Sequence, residues 1–437
     1  MSPEILGLVG LVSLFGLICI GFPISFTLIF LALTLGYIGF GQVVFYLMTL
    51  QFFGVMTDTV LSAVPFFLFM GYILEDSGLM NRLFKAFQLM LARLSGSLYI
   101  AVTSTATIFA AATGIVGSSI TLLGVMAAPT MKESKYDTRL SAGCITAGGT
   151  LGILIPPSIM LVVMGPVVGV PVTELFAAAI LPGIMLAGLY MTYALIRSYF
   201  KPELGPPLAE HLRAPSRAYI VRELFFGVLP VSALILATLG SIMAGMATPT
   251  EGAAAGAFGS LILSLIYKRL TFSGLKKSMF RTLEISAMIL LLVAASNFFG
   301  SVFSRLGSAT LLTELLMKTH LPPMILLILI LALIFVLGWP LEWVPIVLII
   351  LPVLLPIVNH MGYDMLWFSI LVAVTLQTAW LSPPVALSAY FLKGVVPDWD
   401  LKDIYAGMMQ FMALQCLGVL LILFFPGIVT WLPSVLK

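Results

Sequence analysis

Helix-breaking glycine and proline residues recur along this chain in the same order and at a nearly constant offset. The shortest offset joins Pro129 to Pro352, and the longest, which is only slightly greater, joins Gly78 to Gly307. Three further pairs keep offsets between those extremes: Pro23 with Pro249, Gly114 with Gly338, and Pro156-Pro157 with Pro383-Pro384. Agreement of this kind predicts that the chain folds as two structurally related repeats.

Apolar residues dominate both repeats. Hydrophobic residues make up 61% of the chain, charged residues make up 9%, and the mean hydropathy is +1.15. These values exclude an ordinary soluble domain and predict a polytopic membrane protein. The apolar runs are continuous rather than alternating, which favours an all-α fold over a β-barrel. A net charge of +3 gives no reason to expect nucleic-acid binding.

The cysteines and the first apolar stretch add two smaller expectations. Cys19, Cys144 and Cys416 lie in apolar sequence without any Cys-x-x-Cys spacing, which supports neither a disulfide framework nor a metal site. The stretch 5–20 lacks a basic leader and an Ala-x-Ala cleavage site. It is therefore expected to be the first span rather than a removable signal peptide.

Reading the continuous apolar runs as helices predicts five spans in each repeat. The first repeat covers 1–199, a cytoplasmic linker covers 200–219, and the second repeat covers 220–437. The predicted spans are 5–20, 23–40, 59–75, 138–168 and 173–198, followed by 220–244, 249–267, 283–303, 364–392 and 404–432. Because five is an odd number of crossings, the second repeat is inverted relative to the first.

One further apolar segment in each repeat is interrupted near its middle, and we read it as a re-entrant helical hairpin. These hairpins cover about 98–131 and about 322–358. The predicted cytoplasmic segments are 75–96, 131–139, 197–223, 268–281 and 393–403. Only Arg305, Lys318 and Lys437 fall outside them, which leaves 18 of the 21 Lys and Arg inside. This bias matches the positive-inside rule and places both termini in the periplasm. Two full spans in place of a hairpin would give the same bias, so the hairpins rest on the breaks and on the repeat.

Chemistry is expected where backbone hydrogen bonding is interrupted at membrane depth, because a freed amide or carbonyl is costly in lipid unless something satisfies it. Each repeat offers one hairpin tip, near Gly114 or Gly338, and one broken helix, at 148–158 or 378–384. Kinking explains a single break well. Four breaks at matched positions instead favour a transporter site, where helix N-termini attract an anion and carbonyls with hydroxyls coordinate a cation.

Several motifs resemble the large membrane subunit of tripartite ATP-independent periplasmic (TRAP) transporters, within the ion transporter superfamily. The resemblance covers nearly the entire chain. It rests on Ala63-Val64-Pro65-Phe66-Phe67 through Ser77-Gly78-Leu79, Gly117-Ser118-Ser119, Leu151-Gly152-Ile153-Leu154-Ile155-Pro156-Pro157-Ser158, Thr248-Pro249-Thr250-Glu251 and Ser382-Pro383-Pro384.

The resemblance implies a bacterial inner-membrane importer that couples sodium to uptake of an organic anion, usually a carboxylate. A transport domain carrying the hairpins and broken helices would move as an elevator against a scaffold domain. The implied partners are a small four-helix membrane subunit and a periplasmic substrate-binding protein. The segment from Leu376 to Val395 looks closest to branches that handle keto, hydroxy or aromatic acids, and a sulfonate is a further possibility for the anion.

The resemblance also implies site residues. The first sodium site would use Gly117, Ser118, Ser119, Thr150 and Gly152, and the second would use Gly338, Thr378, Ser382 and Pro383. The substrate would lie between them, against Ser118, Ser119, Pro156, Pro157, Ser158, Ser382, Pro383 and Pro384. No Lys or Arg falls in these segments, so an anion would depend on helix N-termini, hydroxyls and bound sodium. The chain departs from the family at its bulky second tip, 338–343, and at Ser382, where threonine is usual.

Two carboxylates and one amphipathic stretch are interpreted separately. Glu251 follows Pro249 where a helix begins, which favours a capping role. Glu342, at the second tip, is open to three readings: a proton site, a cation ligand or a wet, outward-facing residue. The stretch 81–93 is either an arm that connects scaffold and transport domains or a plain surface helix.

The rival functions come from other classes of membrane protein. The sequence has no His-Glu-x-x-His, no paired aspartates within spans and no Gly-x-Ser-x-Gly, which argues against an enzyme. A channel fits the hairpins but not the repeated broken helices. The nearest alternative is a sodium- or proton-driven organic anion carrier on the same scaffold that needs no binding protein.

Overall fold

The computed structural model describes residues 2–318, 320–339, 341–383 and 385–436. These residues form helices joined by short connections, and none of them lies in a strand. Seven of the helices are long and apolar enough to cross a membrane, or eight if a bent helix pair counts as one span. The predicted all-α polytopic membrane fold is confirmed.

The helices of the first half follow the predicted runs. They are α1 Pro3–Ile20, α2 Ile24–Phe40, α3 Val43–Thr57, α4 Ala63–Asp76, α5 Leu79–Leu91, α6 Ser97–Thr113, α7 Val116–Glu133, α8 Thr138–Thr150, α9 Ile159–Val168 and α10 Val172–Phe200.

The helices of the second half follow a linker that contains two short 3-10 turns. They are α11 Arg217–Met243, α12 Pro249–Ile266, α13 Phe272–Arg305, α14 Ser308–Met317, α15 Pro323–Leu337, α16 Trp343–His360, α17 Met365–Ala379, α18 Leu387–Val395, α19 Leu401–Phe424 and α20 Gly427–Leu436.

Three details of the predicted helix plan are wrong. Helix α3 is absent from the predicted spans, because its 15 residues are fewer than a span needs. Helix α13 begins at Phe272, well before the start of the predicted span 283–303, and so carries the exposed Lys276 and Arg281 as helical residues. The last predicted span, 404–432, is divided at Phe425 into α19 and α20.

Glycine residues in the left-handed region turn the chain after α4 and after α13. Gly78 has φ +71° and separates α4 from α5, and these two helices meet at an angle of 63°. Gly307 has φ +79° and separates α13 from α14 in the same way. A residue with a side chain is strained at such a φ, so glycine defines both turns. The matched positions of the two turns in the two halves agree with the recurrence in the sequence.

Helix α5 lies against both α6 and α11 and buries one face of the amphipathic stretch. On its exposed face, Lys85 Nζ donates a hydrogen bond to Tyr219 Oη at 3.0 Å. The Arg82 guanidinium lies 5.1 Å from the ring centroid of Tyr267. The stretch therefore connects the first hairpin to helices of the second half, which is the position that the arm interpretation requires.

Candidate functional site

Both broken helices begin with an aspartate cap at the same relative position. Asp137 accepts a hydrogen bond from the Leu140 amide at the start of α8, and Asp364 accepts one from the Trp367 amide at the start of α17, both at 2.8 Å. These caps satisfy amides that have no partner inside the helix. From there α8 runs to Thr150 and α17 runs to Ala379, where regular hydrogen bonding stops.

The first break is fully enclosed by protein. After Thr150 the chain makes one 3-10 turn, Leu151–Ile153, and a cis peptide bond joins Pro156 to Pro157. Ser158 is buried and precedes the first residue of α9. Such a non-helical stretch has amides and carbonyls that regular helix would otherwise use, which makes it suitable for binding polar groups.

The second break extends from Trp380 to Ala386, where φ is +39° and α18 begins. Of the predicted site residues in this region, Ser382 is buried and Pro384 lies outside the described residues. The Ser382 hydroxyl donates to the Thr378 carbonyl at 2.8 Å. The Thr378 hydroxyl donates to the Thr375 carbonyl in turn. A hydroxyl that donates its proton to the backbone keeps oxygen lone pairs for a cation.

Each hairpin tip packs on the broken helix of its own half. A Cβ added to Gly338 would lie 2.5 Å from the Cβ of Ala379, so the second tip touches the end of α17. A Cβ added to Gly149 would lie 2.3 Å from Ile120 Cγ1 and 3.2 Å from Ile120 Cα, so α7 touches the end of α8 equally closely. Only glycine allows this approach of two backbones.

A buried threonine of the first half is hydrogen-bonded to two glutamines of the second half. Gln377 of α17 and Gln415 of α19 each donate a side-chain hydrogen bond to the Thr150 hydroxyl, both at 3.1 Å. The hydroxyl itself donates to the Ala147 carbonyl at 2.8 Å. All three side chains are 0% exposed. Because both lone pairs of the Thr150 oxygen are occupied, a sodium ion bound there would have to displace one amide.

The first tip reaches a carboxylate that the sequence did not single out. The Ser118 hydroxyl donates to Glu75 Oε2 at 2.6 Å, which joins the beginning of α7 to the end of α4. Its neighbour Ser119 is buried, at 4% exposure. The first tip also approaches α18, the helix that follows the second break, since a Cβ on Gly117 would lie 2.7 Å from the Phe391 ring.

A cavity lies beside the second tip. The second tip borders a cavity of about 200 Å³ lined by Gly338, Trp339, Glu342, Ala379 and Trp380 among others. Gly338 is the predicted sodium ligand that faces it. Among the described residues, no three His, Cys, Asp or Glu side chains come together as a metal-binding group.

The sequence reasoning missed Glu75, Gln377 and Gln415. A signal was available for each of them. Gln377 stands directly before the predicted ligand Thr378, Gln415 interrupts the apolar run of α19, and Glu75 ends a span in an otherwise apolar segment. What the sequence could not supply was the partner of each group in the fold.

Comparison with known proteins agrees with this architecture. Residues 11–428 match the family "Tripartite ATP-independent periplasmic transporter, DctM component". The C4-dicarboxylate TRAP transporter large permease protein DctM of Rhodobacter capsulatus is 28% identical, over 97% of this chain and 98% of that protein. The sialic acid TRAP transporter large permease protein SiaM of Vibrio cholerae is 26% identical, over 96% of both chains.

A solved structure shows a similar arrangement of helices. The crystal structure of the Alcanivorax borkumensis YdaH transporter, described as having an unusual topology, aligns with a TM-score of 0.64. The alignment covers 89% of each chain at 16% sequence identity, so it bears on the fold alone. The family match, which extends over nearly all of the sequence, decides the assignment: this chain belongs to the DctM component family of tripartite ATP-independent periplasmic transporters.

Proposed function

We propose that the chain is the translocating subunit of a sodium-coupled importer of an organic anion, a carboxylate or a sulfonate, in the bacterial inner membrane. A periplasmic binding protein delivers the substrate, and a small four-helix membrane subunit accompanies this one. Among the similar proteins, two are named for C4-dicarboxylates and for sialic acid, which are carboxylic acids, and another is named for isethionate, which is a sulfonate. No enzymatic step is involved, since the related proteins are named as permeases.

The observation that carries this proposal is the buried contact between the two broken helices. Gln377, the residue directly before Thr378, donates a hydrogen bond to Thr150. A residue of each predicted sodium site is therefore part of, or next to, the same polar cluster. The breaks at 148–158 and 378–384 contain no Lys or Arg. A carboxylate bound between them therefore needs a positive charge from another source, and a sodium ion on the hydroxyls and carbonyls supplies it.

The movement proposed for this subunit is an elevator motion of the hairpins and broken helices against a scaffold. It assumes the inverted repeats 1–199 and 220–437, the linker 200–219, and termini in the periplasm. The close contact of each tip with its own broken helix supports a rigid transport domain, because packed cores move as units.

Two alanine substitutions test the sodium sites. Ser119→Ala and Thr378→Ala should each raise the sodium concentration needed for half-maximal uptake, because each removes one candidate oxygen ligand. Thr34→Ala is the matched control, since the Thr34 hydroxyl also bonds a carbonyl in its own helix but lies on an exposed face. An unchanged sodium dependence in both site variants would reject the ligand assignment.

The rival remains a carrier on the same scaffold that works without a binding protein. Uptake by this chain alone, or uptake driven by protons in the absence of sodium, would favour that rival. Uptake that requires both the sodium gradient and the binding protein would favour the tripartite importer.

A further inference from the structure

The hydrogen bond between Ser118 and Glu75 joins two parts of the chain that have counterparts in the second half. Glu75 is the second-last residue of α4, directly before the turn at Gly78. Ser118 lies in the first turn of α7, directly after the tip at Gly114. The contact therefore links the end of α4 to the tip of the first hairpin.

The recurrence of the glycines identifies the counterparts. Gly78 corresponds to Gly307, and counting back equally from these two glycines pairs Glu75 with Ser304 and Asp76 with Arg305. Gly114 corresponds to Gly338, and counting forward equally from them pairs Ser118 with Glu342. The carboxylate and the hydroxyl have exchanged places: in the first half the tip carries the hydroxyl, and in the second half the tip carries the carboxylate.

Ser304 and Arg305 line a different cavity from the described residues of the second tip. They are exposed at the end of α13 and line a cavity of about 410 Å³ together with Pro352 and Val353 of α16. Glu342 precedes Pro352 by ten residues. At 1.5 Å of rise per residue, this spacing corresponds to about 15 Å along the helix axis.

Both charged groups lack an ion pair here. Within the part of the chain that the structure describes, neither Arg305 nor Glu342 has an oppositely charged side chain within 4.0 Å. Arg305 is exposed at the end of α13, and Glu342 is exposed directly before the first residue of α16, where it lines the cavity of about 200 Å³. An ionised group at membrane depth is costly and is normally paired or placed in a wet cavity, so an unpaired carboxylate on a hairpin tip calls for a partner.

We propose that the cavity beside Ser304 and Arg305 is a docking surface for the Glu342 carboxylate in a second conformation of this chain. There the Ser304 hydroxyl donates to the carboxylate and the Arg305 guanidinium pairs with it. The inference rests on the proposed elevator function. It requires the second hairpin to slide by about 15 Å along its own axis, which is about three turns of helix. The same slide separates Ser118 from Glu75, so the two contacts alternate.

Disulfide cross-linking tests the alternation without measuring transport. In a chain whose three native cysteines are replaced by alanine, the pair Glu75→Cys with Ser118→Cys reports the present contact. The pair Ser304→Cys with Glu342→Cys reports the proposed one, because a disulfide requires Cβ atoms within about 4.5 Å. Labelling of the single variant Ser304→Cys with N-ethylmaleimide shows that a cysteine at this exposed position is reactive.

We expect disulfide-linked peptides from both pairs in the membrane-embedded protein, detected by mass spectrometry. In a chain carrying both reporter pairs, single molecules should contain one of the two disulfides but not both. Absence of the 304–342 disulfide, while the cysteine at 304 is labelled by N-ethylmaleimide, would overturn the proposal. Both reporter disulfides in one molecule would overturn it as well, because the contacts would then coexist.

Charge exchange provides a second measurement. Arg305→Glu and Glu342→Arg should each lower uptake severalfold, and the double variant should recover most of the loss if the two groups pair. If Arg305 instead holds the carboxylate substrate, Arg305→Gln raises KM, the double variant stays inactive and the 304–342 disulfide does not form, which rejects the proposal. Failure of sodium-coupled uptake alone would reject the proposed function and leave the cross-linking result intact.

Discussion

Removing the Thr150 hydroxyl should destabilise the protein more than its small size suggests. Thr150→Val keeps nearly the same volume but leaves the amide groups of Gln377 and Gln415 without their acceptor. All three side chains are 0% exposed, so water cannot replace the lost bonds. Removing this one hydroxyl therefore leaves two amide donors without a partner at the junction of the two broken helices.

The size of the effect follows from the number of donors. Interhelical hydrogen bonds in a membrane protein average about 0.6 kcal/mol each, which gives a lower value of about 1 kcal/mol for two. A buried donor without a partner costs about 1–3 kcal/mol, which gives an upper value of about 6 kcal/mol for two. Complete burial places the expected loss in the free energy of unfolding between these limits, at about 2–4 kcal/mol.

Reversible unfolding in mixed detergent and SDS micelles measures this loss. Thr150→Ser is the matched control, because it keeps the hydroxyl and loses only a methyl group, at a cost of about 0.8 kcal/mol. A double-mutant cycle with Gln377→Leu should give a coupling energy of about 0.5–3 kcal/mol. If Thr150→Val is as stable as Thr150→Ser and the cycle is additive, the shared polar cluster does not exist as described.

Two further substitutions test the packing and the charges outside the membrane. Gly149→Ala would force a Cβ against Ile120 and should lower the free energy of unfolding by about 1–3 kcal/mol. Gly188→Ala is the control, because a Cβ there meets nothing within 4 Å. Equal free energies of unfolding for the two variants would contradict the packing. The Lys132 ammonium, 2.6 Å from Asp398, holds the pKa of that carboxyl below its usual value. The contribution of the Lys132–Asp398 pair to stability is therefore present above the usual pKa of the carboxyl and is lost as pH falls through the lowered pKa. Asp398→Asn should remove this part of the acid-induced loss of thermal stability, and an unchanged acid profile would show that the pair contributes nothing.

The positions of most helices could be predicted from the sequence, because a membrane-spanning helix is a long apolar segment. A span needs about 20 apolar residues, and glycine and proline mark the points where a helix stops. The same rule explains the errors. Helix α3 has only 15 residues, and the first turns of α13 carry Lys276, Lys277 and Arg281, which resemble a loop when only hydropathy is considered.

The candidate site could be predicted from the sequence only in part, because its polar contacts join residues far apart in the chain. Gln377 lies 227 residues from Thr150, and Gln415 lies 265 residues from it. The sequence singles out Ser118, but its partner Glu75 depends on where the first tip lies relative to α4. Repeat offsets identify equivalent positions, whereas contacts between elements follow from packing that no local pattern encodes.

The measurement that tests the central claim most directly is uptake of labelled organic acids into proteoliposomes that contain this chain and its small membrane subunit. The sodium gradient and the binding protein should be varied independently, with each acid of the panel in turn. We expect uptake of a carboxylate only when the inward sodium gradient and the cognate binding protein are both present. Uptake that persists without sodium, or without the binding protein, would contradict the account.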